Sequence, residues 1–170
     1  MYVSPAQLAS GPDSLNELSE LFQVEPPLLR ATIDAADRSE WPDGDVQHAD
    51  DVLVQIQFAC EQAAGEVDSR LARRGYQLPL DHLQFPVLTV WARAIARYHL
   101  HPQRDRTNEE TGRIERDYRN AIRSLNSIAK GELSLGANDP LAVDAGAQDG
   151  GAVRIESNPR MHSRGSLKGL

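Results

Sequence analysis

What this sequence has little of narrows the reading first. It contains one cysteine, Cys60, so no disulfide can form within the chain. Cys60 sits in an apolar helical run, where a buried, inert thiol is expected. Aromatic residues make up 5% of the chain, so the core must rest on Leu, Ile, Val and Ala. No stretch approaches the ~20 apolar residues of a membrane span. Met1–Ser10 lacks the basic start and apolar run of a secretory leader, which predicts a protein that is cytoplasmic where it is made. The motifs of common chemistry are missing too. There is no G-x-G-x-x-G, no Walker-type loop, no H-E-x-x-H and no cysteine pair. The expectation is a protein that is not an enzyme and needs no cofactor or metal.

Charge is present but unevenly placed. The 170 residues carry a net −7. Residues 1–68 hold 14 acids against 2 arginines, a net −12. Residues 69–130 hold 12 bases against 6 acids, a net +6. Residues 131–170 hold 5 acids and 4 bases, a net −1. Such polarity can steer identical subunits into acidic-to-basic contact, or it can simply solvate two faces.

Apolar periodicity predicts helices throughout the first 130 residues. Ser4-Pro5 reads as a cap with proline at the first helical position, and Gly11-Pro12 ends that short helix. Asp13–Phe22 carries Leu15, Leu18, Leu21 and Phe22 on one side. Pro26-Pro27 opens a helix with Leu28, Leu29, Ile33 and Ala36. Trp41-Pro42-Asp43-Gly44 reads as a turn. From about Val46 to Arg74, apolar residues recur at steps of three and four, predicting a helix roughly 40 Å long. Gly75 fits its C-terminal cap. Pro79 predicts an extended run over residues 77–80. A further helix spans about Leu83–Leu100, with Pro86 in its first turn. Thr107-Asn108-Glu109-Glu110 has capping-box spacing and opens a last helix to Lys130, ended by Gly131.

The remaining residues are rich in Gly, Ala, Asp and Ser and have almost no helical period. Alone they should be mobile, to be held by a partner. Ala152–Glu156 alternates briefly, as a strand added to another chain's sheet would. The predicted organisation is an all-α bundle over residues 1–131, with a long central helix, followed by an extended C-terminal arm over 132–170 that orders on assembly.

Few residues invite a chemical reading. His99 and His101 lie two apart, so on a helix they point to different sides and do not share a metal. Asp43, Asp45, Asp50 and Asp51 lack the ligand spacing of a calcium loop and suit a helix N-terminus instead. Arg113, Arg116, Arg119 and Arg123 lie near one another along a helix and could touch phosphates. They alternate with Glu115 and Asp117 in an acidic chain, so subunit contacts or plain solvation are expected over DNA binding. Asp68, Arg74, Tyr76 and Pro79 surround the end of the long helix, where an acid–base pair could fix the turn.

Several stretches together resemble a known family. They are Glu66–Leu80 with its Leu78-Pro79-Leu80, then Ala96-Arg97-Tyr98-His99-Leu100, then Tyr118–Glu132 with Gly131. In order and spacing they are similar to the Mu-like phage family of small head–tail connector proteins, over about Met1–Leu135. Gly75 separates Arg74 from Tyr76 where the pattern has Arg-Tyr adjacent, a departure that affects only the cap. Ser163–Leu170 also looks like the family's closing segment.

The resemblance implies a structural role in the virion neck, at the head–tail junction, after a stage in the host cytoplasm. It implies a ring of about twelve copies beneath the portal protein, carrying the DNA channel to the tail. Implied partners are the portal, neighbouring copies, and a stopper or tail-side neck protein, with DNA passing through the lumen without specific binding and no membrane contact. Arg113, Arg116, Arg119 and Arg123 become candidates for the subunit interface. Val153, Arg154, Ile155, Arg164 and Leu167 become candidates for the docking arm. A stopper ring one layer further down is the alternative. A soluble DNA-binding module using Arg113–Arg123 is another.

Overall fold

The computed structural model describes residues 1–101, 109–136 and 139. Six helices follow in order: α1 (Pro5–Leu8), α2 (Pro12–Phe22), α3 (Pro26–Ile33), α4 (Asp43–Arg74), α5 (Pro86–Leu100) and α6 (Glu109–Lys130). No strand occurs among the described residues, so the all-α expectation holds. None of the described helices is long and apolar enough to cross a membrane.

The spine is α4, whose 32 residues span about 48 Å at 1.5 Å per residue. Its buried stripe is Ala49, Val52, Ile56, Ala59, Cys60, Ala63, Val67 and Leu71. These recur at steps of three, four and one, so a single face of the helix carries them. Ala59 and Ala63 are small, which lets neighbouring helices approach closely. The other two long helices pack on this face with Leu88, Ala92, Ile95 and Ala96 from α5 and Ala121, Leu125 and Ile128 from α6. Tyr98 and Tyr118 stack at 3.7 Å with planes 7° apart, joining α5 to α6 beside the core. Cys60 is fully buried, and burial pushes its thiol up to about 11.

The three short helices lie across α4 and α5 and are tied down by polar contacts. Ser4 caps α1 through a reciprocal box: its Oγ accepts from Gln7 N at 3.2 Å, and Gln7 Oε1 accepts from Ser4 N at 2.9 Å. Arg93 on α5 donates to Leu8 O, Ser10 O and Ser14 Oγ. Arg97 on α5 pairs with Glu17 on α2. Arg38, after α3, pairs with Asp50 on α4. Each long arginine thereby satisfies backbone or carboxylate groups at a helix end or surface.

Three local expectations need correction. α4 begins at Asp43 rather than near Val46 because Pro42 caps it and Asp43 and Asp45 occupy its first turn, where the helix dipole favours acids. α5 begins at Pro86 rather than Leu83. Asp81 accepts a hydrogen bond from Leu83 N at 2.9 Å, forming an Asx turn in place of the first helical turn. Residues 77–80 form a bend rather than an extended run, with a cis Leu78–Pro79 peptide. Thr107-Asn108 and the possible strand at 152–156 lie outside the described residues.

Candidate assembly site

The sequence around the end of α4 marks a corner, and the structure shows what the corner holds. Gly75 adopts φ +92° and caps the helix, its N–H reaching Ala72 O and Leu71 O. This left-handed residue suits glycine and turns the chain so that Tyr76 faces inward. Arg73 and Arg74 fall in the last turn, where cations complement the exposed carbonyls.

Asp68 and Arg74 take different partners. Asp68 accepts from Tyr2 Oη at 2.5 Å, across 66 residues of sequence. Tyr2 Oη in turn accepts from Leu80 N at 3.3 Å. One phenol thus holds together the N-terminal segment, α4 and the bend after it. Desolvation and the Asp68 hydrogen bond both favour the neutral phenol, raising its pKa to about 12.

Arg74 reaches forward instead, to Asp139. Its Nε donates to Oδ1 at 3.1 Å and its Nη2 to Oδ2 at 3.3 Å. The Asp139 side chain is fully buried. A two-point guanidinium–carboxylate fork is among the stronger polar contacts a protein makes. Tyr76 completes the set, since its Oη accepts from Leu135 N at 3.3 Å. Leu135 packs against the core. The acid–base pair that the sequence suggests at this corner is therefore not Asp68 with Arg74. Asp68 fixes the start of the chain, and Arg74 fixes the segment that follows α6.

Gly131 shows how close this approach is. It ends α6 with φ +80°, and a Cβ there would overlap Arg74 Nη1 and sit 3.0 Å from Arg74 Cζ. The guanidinium lies across the glycine on its way to Asp139. Pro79 is exposed in the bend beside this cluster.

The arginines of α6 occupy the opposite side of that helix from its core stripe. At about 100° per residue, Arg116, Arg119 and Arg123 share one face, and Arg113 lies at its edge. Arg119 pairs with Glu115, and Arg123 donates to Asn120 Oδ1 at 3.4 Å. Arg116, Arg119 and Arg123 border a shallow cavity of about 240 Å³ with Gly112, Glu115 and Asn120. The face is basic, with one carboxylate set into it.

His99 and His101 diverge, as their spacing requires. His99 Nε2 lies 2.7 Å from Glu66 Oε1, while His101 Nε2 lies 3.3 Å from Glu17 Oε1. Among the described residues there is no group of three or more His, Cys, Asp or Glu placed to hold a metal. Val153, Arg154, Ile155, Arg164 and Leu167 lie outside the described residues.

The sequence reading missed Tyr2 and Asp139. A lone tyrosine near the chain start and an aspartate in a Gly/Ala-rich stretch carry no local pattern. Their roles arise from contacts 65 and 66 residues away along the chain.

Residues 12–154 match the family described as Bacteriophage Mu, Gp36. The chain belongs to this family. It is also 35% identical over 115 residues to the Mu-like prophage FluMu protein gp36 of Haemophilus influenzae. That alignment covers 68% of this chain and 70% of the relative. No solved structure matches the chain. The resemblance drawn from Glu66–Leu80, Ala96–Leu100 and Tyr118–Glu132 is thus upheld at the level of the family. Asp68, Arg74, Tyr76, Gly131, Asp139 and the α6 arginine face lie within the matched residues, and Tyr2 lies before them.

Proposed function

We propose that this protein is a structural, non-catalytic subunit of a tailed-phage virion, a head–tail adaptor that forms a ring beneath the portal protein. Membership of the Mu Gp36 family is the observation that carries the reading. The charge division supports it. Acids dominate residues 1–68 and bases dominate 69–130, so one copy offers surfaces of both signs to the next. Acidic surface turned to the lumen would repel DNA phosphates and let a duplex slide without sticking. Repetition around a closed ring multiplies weak contacts into a durable assembly.

The corner gives the arm a mechanical base. Leu135 and Asp139 anchor the chain to Tyr76 and Arg74, so residues beyond 139 leave from a fixed point beside the end of α4. An arm launched from a rigid origin loses less entropy on docking than one tethered loosely. Val153, Arg154, Ile155, Arg164 and Leu167 are the residues of that arm that would dock on the portal or a neighbour.

The test is a truncation placed after Asp139. Deletion of residues 140–170 should leave a folded helical chain that no longer joins the portal. Truncation at 132 would also remove Leu135 and Asp139 from the corner and so test the fold as well as the arm. A chain lacking 140–170 that still completes heads would refute the arm's role.

A further inference from the structure

Two faces of the molecule each present an exposed apolar side chain beside a hollow. On α4, Val54 is 62% exposed and Phe58 is 59% exposed. Asp51 and Glu61 lie on the same stripe, about 20° around the helix from Phe58 and Val54 respectively. Beside them is a groove of about 730 Å³, walled by Leu21 and Phe22 of α2 and by Leu100 and His101. On the other face, Val90 of α5 is 64% exposed and Val87 is 37% exposed. Val90 borders a cavity of about 410 Å³ between α5 and α6, lined also by Trp91, Ala94, Ala121, Arg93, Arg97 and Asp117. Next to this cavity stands the arginine face of α6.

We infer that these two faces are the two halves of one head-to-tail contact between copies of this chain. Phe58 of one copy enters the α5–α6 cavity of the next, and Val90 of that copy enters the groove beside Phe58. The observation that selects a second copy is complementarity of charge. The Phe58 face carries exposed Asp51 and Glu61, while the cavity face carries exposed Arg116, Arg119 and Arg123. Neither face is suited to its own duplicate, because acids would meet acids and arginines would meet arginines. Different surfaces that fit each other give a heterologous contact, which closes into a ring or runs on as a filament. Val90, Trp91, Ala94 and Ala121 give the cavity an apolar wall for an aromatic anchor, and Arg93, Arg97, Asp117, Asn120 and Ser124 supply its polar and charged lining.

This inference rests on the ring reading and names the surfaces that such a ring would use. It is tested by cross-linking full-length chains mixed with the portal of the same phage, the condition in which the ring forms. One variant carries Gln62→Cys on the Phe58 stripe, and the other carries Ser124→Cys at the cavity. Cys60 is fully buried and supplies only background. A mixture treated with a short bis-maleimide should give predominantly 62–124 linked pairs. Phe58→Ala should weaken that linkage at least about tenfold, with helix content unchanged. Glu61→Arg should weaken it as well, and Arg116→Glu on the opposing copy should restore it. Links of 62–62 or 124–124 alone, or none above background, would overturn the contact. If the chain then still forms a ring on the portal, the ring reading survives and only these surfaces are wrong. If no ring forms either, both fall.

Discussion

The guanidinium of Arg74 lies across Gly131 and grips Asp139 by two hydrogen bonds. The last turn of α4, the end of α6 and the beginning of the C-terminal segment therefore meet in one polar lock. Asp139 has no exposed side-chain surface, so its charge is satisfied within the fold or not at all.

Removing one partner should cost more than removing both. Asp139→Ala leaves a largely buried guanidinium facing an empty site, and Arg74→Leu leaves a buried carboxylate. Each should destabilise the chain by about 1–3 kcal/mol, with the double variant losing less than the sum. Urea unfolding of the two single variants and the double variant measures the coupling. Strict additivity would show that the lock contributes nothing.

Gly131→Ala should destabilise by about 1–2 kcal/mol from backbone strain alone, because φ +80° is unfavourable for an L side chain. The added Cβ also displaces Arg74. Repeating the substitution in an Arg74→Ala background removes the overlap and leaves only the strain. Thermal melts should therefore show a smaller loss in that background.

Much of this was legible in advance, and the limit is physical. Leu88, Ala92, Ile95 and Ala96, and the stripe of α4 from Ala49 to Leu71, announce their burial by spacing. Ser4, Gly75 and Gly131 announce helix ends because few residue types serve there. Arg74 and Asp68 were recognisable as a corner pair in kind, but their partners were not. Tyr2 and Asp139 are brought in by tertiary packing, which leaves no periodic trace. The exposed Phe58 was equally silent, since its place outside the apolar stripe leaves no periodic trace.

Tyr2 gives a pH-dependent signature. Its folded pKa of about 12 lies above the ordinary phenol value of 10.0. The folded chain favours the protonated phenol, so this contribution to stability is fully present below about pH 10. It is lost as the pH rises through about 12. Stability should fall over that window, and ultraviolet difference titration should show the Tyr2 phenol ionising late. Tyr2→Phe should abolish the late phase and flatten the decline. Cys60, pushed up from the ordinary 9.0 to about 11, adds a separate loss that begins about one pH unit earlier and that the Tyr2 variant retains.

The arginine face of α6 should not behave as a DNA reader. Glu115 pairs with Arg119 within it, and the chain is net −7. Duplex DNA should show no mobility shift with the full chain even at low salt. A shift with a steep salt dependence would favour a DNA-binding module over a connector.

The most direct measurement is mass by light scattering, for the full-length protein alone and after mixing with the portal of the same phage. The account predicts a monomer alone and a large complex with many copies on each portal. A chain that stays monomeric and ignores the portal would contradict the adaptor reading.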